Sequence, residues 1–259
     1  CKSRLSDKYD PKMAIKTSLN YSLNFNPKKR KANQIKFLIF HYTGMRSEKA
    51  AIKRLTDIKS KVSSHYLISQ NGKIITLVPE LYIAWHAGKS NWENYDSLNK
   101  NSIGIEITNP GHSFGYKKFT NAQILSLIKL SKFLIRRYKI NNKNILGHSD
   151  IAPVRKKDPG EKFPWKYLSK KKIGYWHNID KNILSKNRIL KINNLQKNLF
   201  YKNIFKIGYL KTVPKDLQNK KNNYFLKVTK AFQRRFRPEI INGKVDKECL
   251  IISQNLVKQ

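Results

Sequence analysis

The sequence predicts an α/β fold, a central mixed β-sheet flanked by helices, followed by a small all-α C-terminal domain. Three observations point there. Short apolar runs rich in β-formers recur before residue 150. One long amphipathic helix is set among them, and beyond residue 189 only helical spacing is found. A chain of 259 residues is long enough to bury such a core.

The elements follow in order. Gln34–Thr43, "QIKFLIFHYT", reads as a buried strand that ends at His41. "SEKAAIKRLTD" follows, with Ser47 as the N-cap of a short helix. Ser63–Ser69 and Lys73–Pro79 are strands joined by a turn containing Asn71-Gly72, a strong hairpin signal. Asn101–Asn109 is another strand, carrying Glu106 among apolar neighbours. Thr120 and Gln123 form a capping box, and Ile124, Leu127, Ile128, Leu134, Ile135 and Tyr138 keep helical spacing, so a helix is predicted over Asn121–Tyr138. "NILG" is a short strand delivering His148, and a short helix is expected near Trp165–Lys172. Residues 1–33 read as a tether, 34–177 as the main domain, 178–188 as a linker and 189–259 as the helical domain.

Composition narrows the function. The formal net charge is +38, which invites a nucleic-acid reading. The excess is mostly Lys, spread along the whole chain with many Asn and Ile, as codon bias in an AT-rich genome would produce; no nucleic-acid partner is expected. Such a surface still favours anionic partners. No run of eighteen apolar residues occurs, so no membrane-spanning helix is expected. The two cysteines, Cys1 and Cys249, form no CxxC pair, which excludes a cysteine-based zinc site.

Ile145–Trp165, "ILGHSDIAPVRKKDPGEKFPW", breaks all periodicity, and a long irregular loop in a compact domain is usually functional. His41, His148 and Asp158 are candidate ligands, since a hydrolytic zinc site uses three protein ligands and one open position. A lone histidine at a strand end is more often simply a satisfied polar residue. Asp150 is read either as a local loop residue or as an acceptor orienting a metal-bound histidine. Glu106 alternates with isoleucines and so lies on the opposite face, toward solvent or a groove.

In this order "HYTG", "SSHYLIS", "AWHAG", "SIGIEITN" and "GHSDIAPVRKKDPG" resemble the zinc-dependent N-acetylmuramoyl-L-alanine amidases, the family of T7-type phage lysozymes and of relatives of peptidoglycan recognition proteins. The resemblance covers Phe37–Trp176. It implies Zn²⁺ on His41, His148 and Asp158, with Glu106 as catalytic carboxylate and Lys156 as catalytic cation. It also implies a substrate groove lined by His65, Tyr66, Trp85 and His86. The reaction implied is hydrolysis of the amide between N-acetylmuramic acid and L-alanine in peptidoglycan or muropeptides. Ala231–Leu250 is similar to the end of a peptidoglycan-binding helical module.

The likeness is strongest to the outer-membrane lipoprotein branch. It implies a lipid on Cys1 and a membrane anchor on the periplasmic face of the outer membrane of a Gram-negative bacterium, Lys2 not being the Asp that retains lipoproteins at the inner membrane. A monomer is expected. Two rivals stand beside the enzyme: a module that binds peptidoglycan without cutting it, and a basic nucleic-acid binder.

Overall fold

This computed structural model describes residues 15–209, 219 and 221–259, so Cys1 lies outside the described residues. Strands β1 (Ser18–Leu19), β2 (Phe25–Asn26) and β3 (Phe37–Tyr42) precede helix α1 (Glu48–Thr56). Then come β4 (Tyr66–Ile68), β5 (Ile74–Thr76), β6 (Ile83–Ala84), β7 (Asn91–Trp92), β8 (Tyr95–Asp96) and β9 (Ser102–Ile107). Helix α2 (Asn121–Tyr138), β10 (Ile145–Gly147), α3 (His148–Ile151) and α4 (Trp165–Lys170) complete the sheet region. Helices α5 (Lys181–Asn187), α6 (Asn194–Ile207), α7 (Lys221–Phe236) and α8 (Lys247–Val257) follow.

The main sheet has six strands in the order β1-β5-β4-β9-β3-β10. It is mixed: β4 and β5 pair antiparallel as the expected hairpin, and every other pair is parallel. Gly72 in the hairpin turn has φ +86°, and a Cβ there would stand 2.7 Å from the Ala122 carbonyl oxygen, so the turn requires glycine. α2 begins at the expected box, with Thr120 Oγ1 accepting from Gln123 N–H at 3.1 Å and Gln123 Oε1 accepting from Thr120 N–H at 3.0 Å.

Strand periodicity divides the core. Leu38 and Phe40 face one side with Ile103, Ile105 and Ile107, against Leu127, Leu130 and Leu134 of α2. Phe37, Ile39 and Leu146 face the other side, where they share one buried cluster with Phe200, Ile204, Val228, Phe232 and Leu250 of the C-terminal helices. The helical region thus covers one face of the sheet.

Two stretches differ from expectation. Part of the expected tether packs on the domain: β1 extends the sheet beside β5, β2 pairs with β6, and buried Arg30 donates to the carbonyls of Glu80, Asn99 and Lys100. Within residues 178–188, expected as a linker, α5 is capped by Asp180, which accepts from Asn182 N–H at 2.8 Å, and buries Leu184.

Candidate active site

His41 and Glu106 are register partners on adjacent parallel strands, β3 and β9. Both point to the face opposite the isoleucines of β9, near the carboxyl ends of the strands, where open α/β sheets place ligands. β10 runs beside β3 with Gly147 opposite Phe40, so His148 emerges next to His41. The irregular loop then returns Asp158 to the same point, its carbonyl accepting from Ser149 N–H at 2.8 Å.

The three side chains form a tight triangle. His41 Nδ1 is 2.9 Å from His148 Nδ1 and 3.1 Å from Asp158 Oδ2, and His148 Nδ1 is 3.0 Å from the same oxygen. All three residues are buried. A tetrahedral ion with bonds of ~2.0 Å spaces its ligand atoms by ~3.3 Å, close to these edges.

The surrounding hydrogen bonds decide the tautomers. Ser102 donates its hydroxyl to the Leu98 carbonyl at 2.6 Å, so its oxygen accepts from His86 Nε2–H at 3.1 Å. His86 Nδ1 is then bare and accepts from His41 Nε2–H at 3.0 Å, which leaves His41 Nδ1 bare. His148 Nε2–H donates to the Ala87 carbonyl at 3.1 Å, leaving its Nδ1 bare as well. Two imidazole lone pairs and a carboxylate oxygen therefore meet with no donor among them, an arrangement that suits a divalent cation. Burial, and secondarily the neighbouring His148, lowers the His41 pKa to about 4, in keeping with a neutral ring.

A groove of about 430 Å³ opens over this triangle, lined by Tyr42, Trp85, Glu106, His112, Lys156 and Asp158 among others. Glu106 Oε2 is buried without a hydrogen-bond partner among the described residues. Burial, then the charge of Asp158, raises its pKa to about 8 against the opposing pull of Lys156. A carboxyl poised there can exchange a proton near neutral pH.

Trp85 lines the groove. His86 reaches its wall too, but both ring nitrogens serve the Ser102–His41 relay. Gly104 makes that packing possible, because a Cβ there would lie 2.4 Å from His86 Cγ.

Three expectations need correcting. His65 does not line the groove: its Nδ1 accepts from Gly104 N–H at 3.0 Å, and its Nε2 contacts the Tyr82 carbonyl at 3.0 Å. Tyr66 is buried and donates to Glu80. Asp150 orients neither His41 nor His148. Its carboxylate accepts from Gly147 N–H at 2.8 Å, from Tyr209 OH at 2.7 Å and from Arg235 Nη1 at 2.6 Å, tying the C-terminal helices to the base of α3. Missed by the sequence reading is His112, held between Tyr42 OH at 2.8 Å and Glu161 at 3.0 Å; a lone histidine in a polar loop offers no spacing signal.

Comparison with known proteins agrees with this geometry. Residues 31–161 match the N-acetylmuramoyl-L-alanine amidase family model (Amidase_2). The chain is 38% identical over 239 residues to N-acetylmuramoyl-L-alanine amidase AmiD of Escherichia coli, spanning 87% of this chain and 83% of that one. It is 42% identical over 111 residues to the 1,6-anhydro-N-acetylmuramyl-L-alanine amidase AmpD of Haemophilus influenzae, 42% of this chain and 58% of that one. Among solved structures, E. coli AmiD in complex with the substrate anhydro-N-acetylmuramic acid-L-Ala-D-gamma-Glu-L-Lys superposes with a TM-score of 0.74 at 36% identity, covering 87% of this chain and 89% of that one. AmpDh3 of Pseudomonas aeruginosa gives 0.72 at 34% identity, covering 90% and 94%. With the family model spanning half the chain and AmiD matched over most of both lengths, this chain belongs to the N-acetylmuramoyl-L-alanine amidase family.

Proposed function

We propose that His41, His148 and Asp158 hold a catalytic zinc ion, that Glu106 is the general base and acid, and that Lys156 stabilises the oxyanion. The chain is an N-acetylmuramoyl-L-alanine amidase, and the bond it hydrolyses is the amide between N-acetylmuramic acid and L-alanine in peptidoglycan or its fragments. The observation that carries the metal reading is the convergence of three lone-pair donors beside an unpartnered carboxyl.

Zinc in this set would supply Lewis acidity toward the amide carbonyl and lower the pKa of a bound water. Glu106 takes the proton of the attacking water and returns it to the departing nitrogen. Lys156, on the same groove wall, faces the negative charge that develops on the carbonyl oxygen. Trp85 offers an apolar face to the substrate. The C-terminal helices, similar at Ala231–Leu250 to a wall-binding module, would hold the enzyme against the polymer.

Mass spectrometry of muropeptides before and after incubation, with elemental analysis and a chelator control, tests the reading. Zinc-dependent release of free stem peptide is expected. A zinc-loaded protein that leaves every muropeptide intact overturns it in favour of a binding module. Acylation of Cys1 and a seat on the periplasmic face of the outer membrane belong to the same reading, supported by the likeness to AmiD. Fatty-acid labelling of cells that express the protein, followed by membrane fractionation, tests them.

A further inference from the structure

A second cleft of about 330 Å³ lies between α7 and the loop after α3. One wall carries Lys227, Lys230 and Arg234, spaced three and four apart and therefore on a single stripe of α7. The other carries Arg155, Lys156 and Lys157. Arg155 and Lys156 also line the catalytic groove, so the two depressions share a wall.

Among the described residues six basic side chains line this cleft beside a single acid, Glu161, whose carboxylate already binds His112 Nε2 at 3.0 Å; the Arg155 guanidinium is itself held by the Ala87 and Lys89 carbonyls. Arg234 is only 8% exposed, yet its Nε has no hydrogen-bond partner among the described residues, and Glu161 is 4.0 Å away. A buried N–H lacking an acceptor is costly, and like charges across a cleft repel. An arriving carboxylate relieves the repulsion and adds a second counter-charge near Arg234 beside Glu161.

We propose that this cleft is a carboxylate-binding subsite that takes an acidic stem peptide of the wall polymer. The inference rests on the amidase reading of the adjoining groove. The peptide of the AmiD ligand, L-Ala-D-gamma-Glu-L-Lys, shows why this chemistry fits: a γ-linked glutamate keeps its α-carboxylate free. Because α7 supplies half the cations, the C-terminal helices contribute charge recognition as well as packing.

Co-sedimentation of the full chain with insoluble wall sacculi, chelator present to stop turnover, tests the subsite. The variant is Lys227→Glu/Lys230→Glu. Its control is Lys129→Glu/Lys132→Glu on α2, which changes net charge equally on the opposite face of the sheet. The α7 pair should weaken binding about tenfold more than the control pair, and carbodiimide amidation of the wall carboxylates should erase that difference. Equal losses from the two pairs, or a difference that survives amidation, overturn the proposal. KM for a single-peptide anhydromuramoyl tripeptide then identifies the source. A matching rise assigns the subsite to the peptide being cut, and a rise confined to sacculi assigns it to a neighbouring peptide. Zinc-loaded wild type acting on the same sacculi keeps the readings apart, since its failure to cut sinks the amidase reading while the binding result still judges the subsite.

Discussion

Arg235→Met should loosen the attachment of α7 to the sheet. The guanidinium donates to Asp150 Oδ2 at 2.6 Å and to the Ile145 carbonyl at 2.9 Å, and it lies 4.3 Å from the Trp165 ring centroid. The side chains of Arg235 and Asp150 are 2% and 1% exposed, so water does not screen the pair. Methionine keeps most of the volume, which confines the loss to charge and hydrogen bonding. Asp150 retains Gly147 N–H and Tyr209 OH but becomes a buried carboxylate with no cation. Breaking a buried pair from one side costs about 3–5 kcal/mol. At about 2–4 °C per kcal/mol for a chain of this size, Tm should fall by roughly 6–20 °C. Urea unfolding of the metal-free full chain, followed by tryptophan fluorescence, measures it. Arg235→Met/Asp150→Asn should recover part of the loss, since the stranded charge is then gone. A loss below about 1 kcal/mol, as for an exposed pair, or a double variant no better than the single one, refutes the reasoning.

Other outcomes follow from the site. Gly104→Ala drives a methyl into His86 and so misaims His41; zinc affinity, read by competition with a chromophoric chelator, should fall about 10–100-fold while the fold persists by circular dichroism. Glu106→Gln should lower kcat by about 10²–10⁴-fold with zinc content unchanged. A raised carboxyl pKa means that the ionised base grows as pH rises, so the acidic limb of kcat/KM should lie well above the ordinary glutamate value of about 4.3, and a limb at that value would contradict the burial of Glu106. Trp85→Ala should raise KM for muropeptides by about tenfold with kcat nearly held, reflecting lost platform contact in ground and transition states alike.

The strand of His41, the helix Asn121–Tyr138 and the hairpin at Gly72 were legible because each has a period or a turn signal long enough to read. The opposite facing of Glu106 and the isoleucines of β9 followed from alternation alone. The two-residue strands and α3 were not legible, because a period cannot appear in two to four residues. α5 was missed because Leu184 is its single buried residue, and one apolar position defines no stripe. Within the site, spacing and family likeness nominated the three ligand candidates, but nothing local showed that His65 turns inward to Gly104 while His86 turns toward His41. That choice depends on which backbone groups lie across the sheet. Asp150 misled for the same reason: its partner, Arg235, is 85 positions away.

The common cluster of Phe37, Ile39 and Leu146 with Phe200 and Phe232 bears on how this protein can be trimmed. A shortened version ending after residue 177 would carry a bare oily patch on the back of its sheet, prone to aggregation. For the same reason recombination could not swap the last eighty positions onto another scaffold without recruiting matching side chains from the strands. Anyone seeking a smaller wall-cutting tool from this template would have to repaint that face with polar residues before cutting.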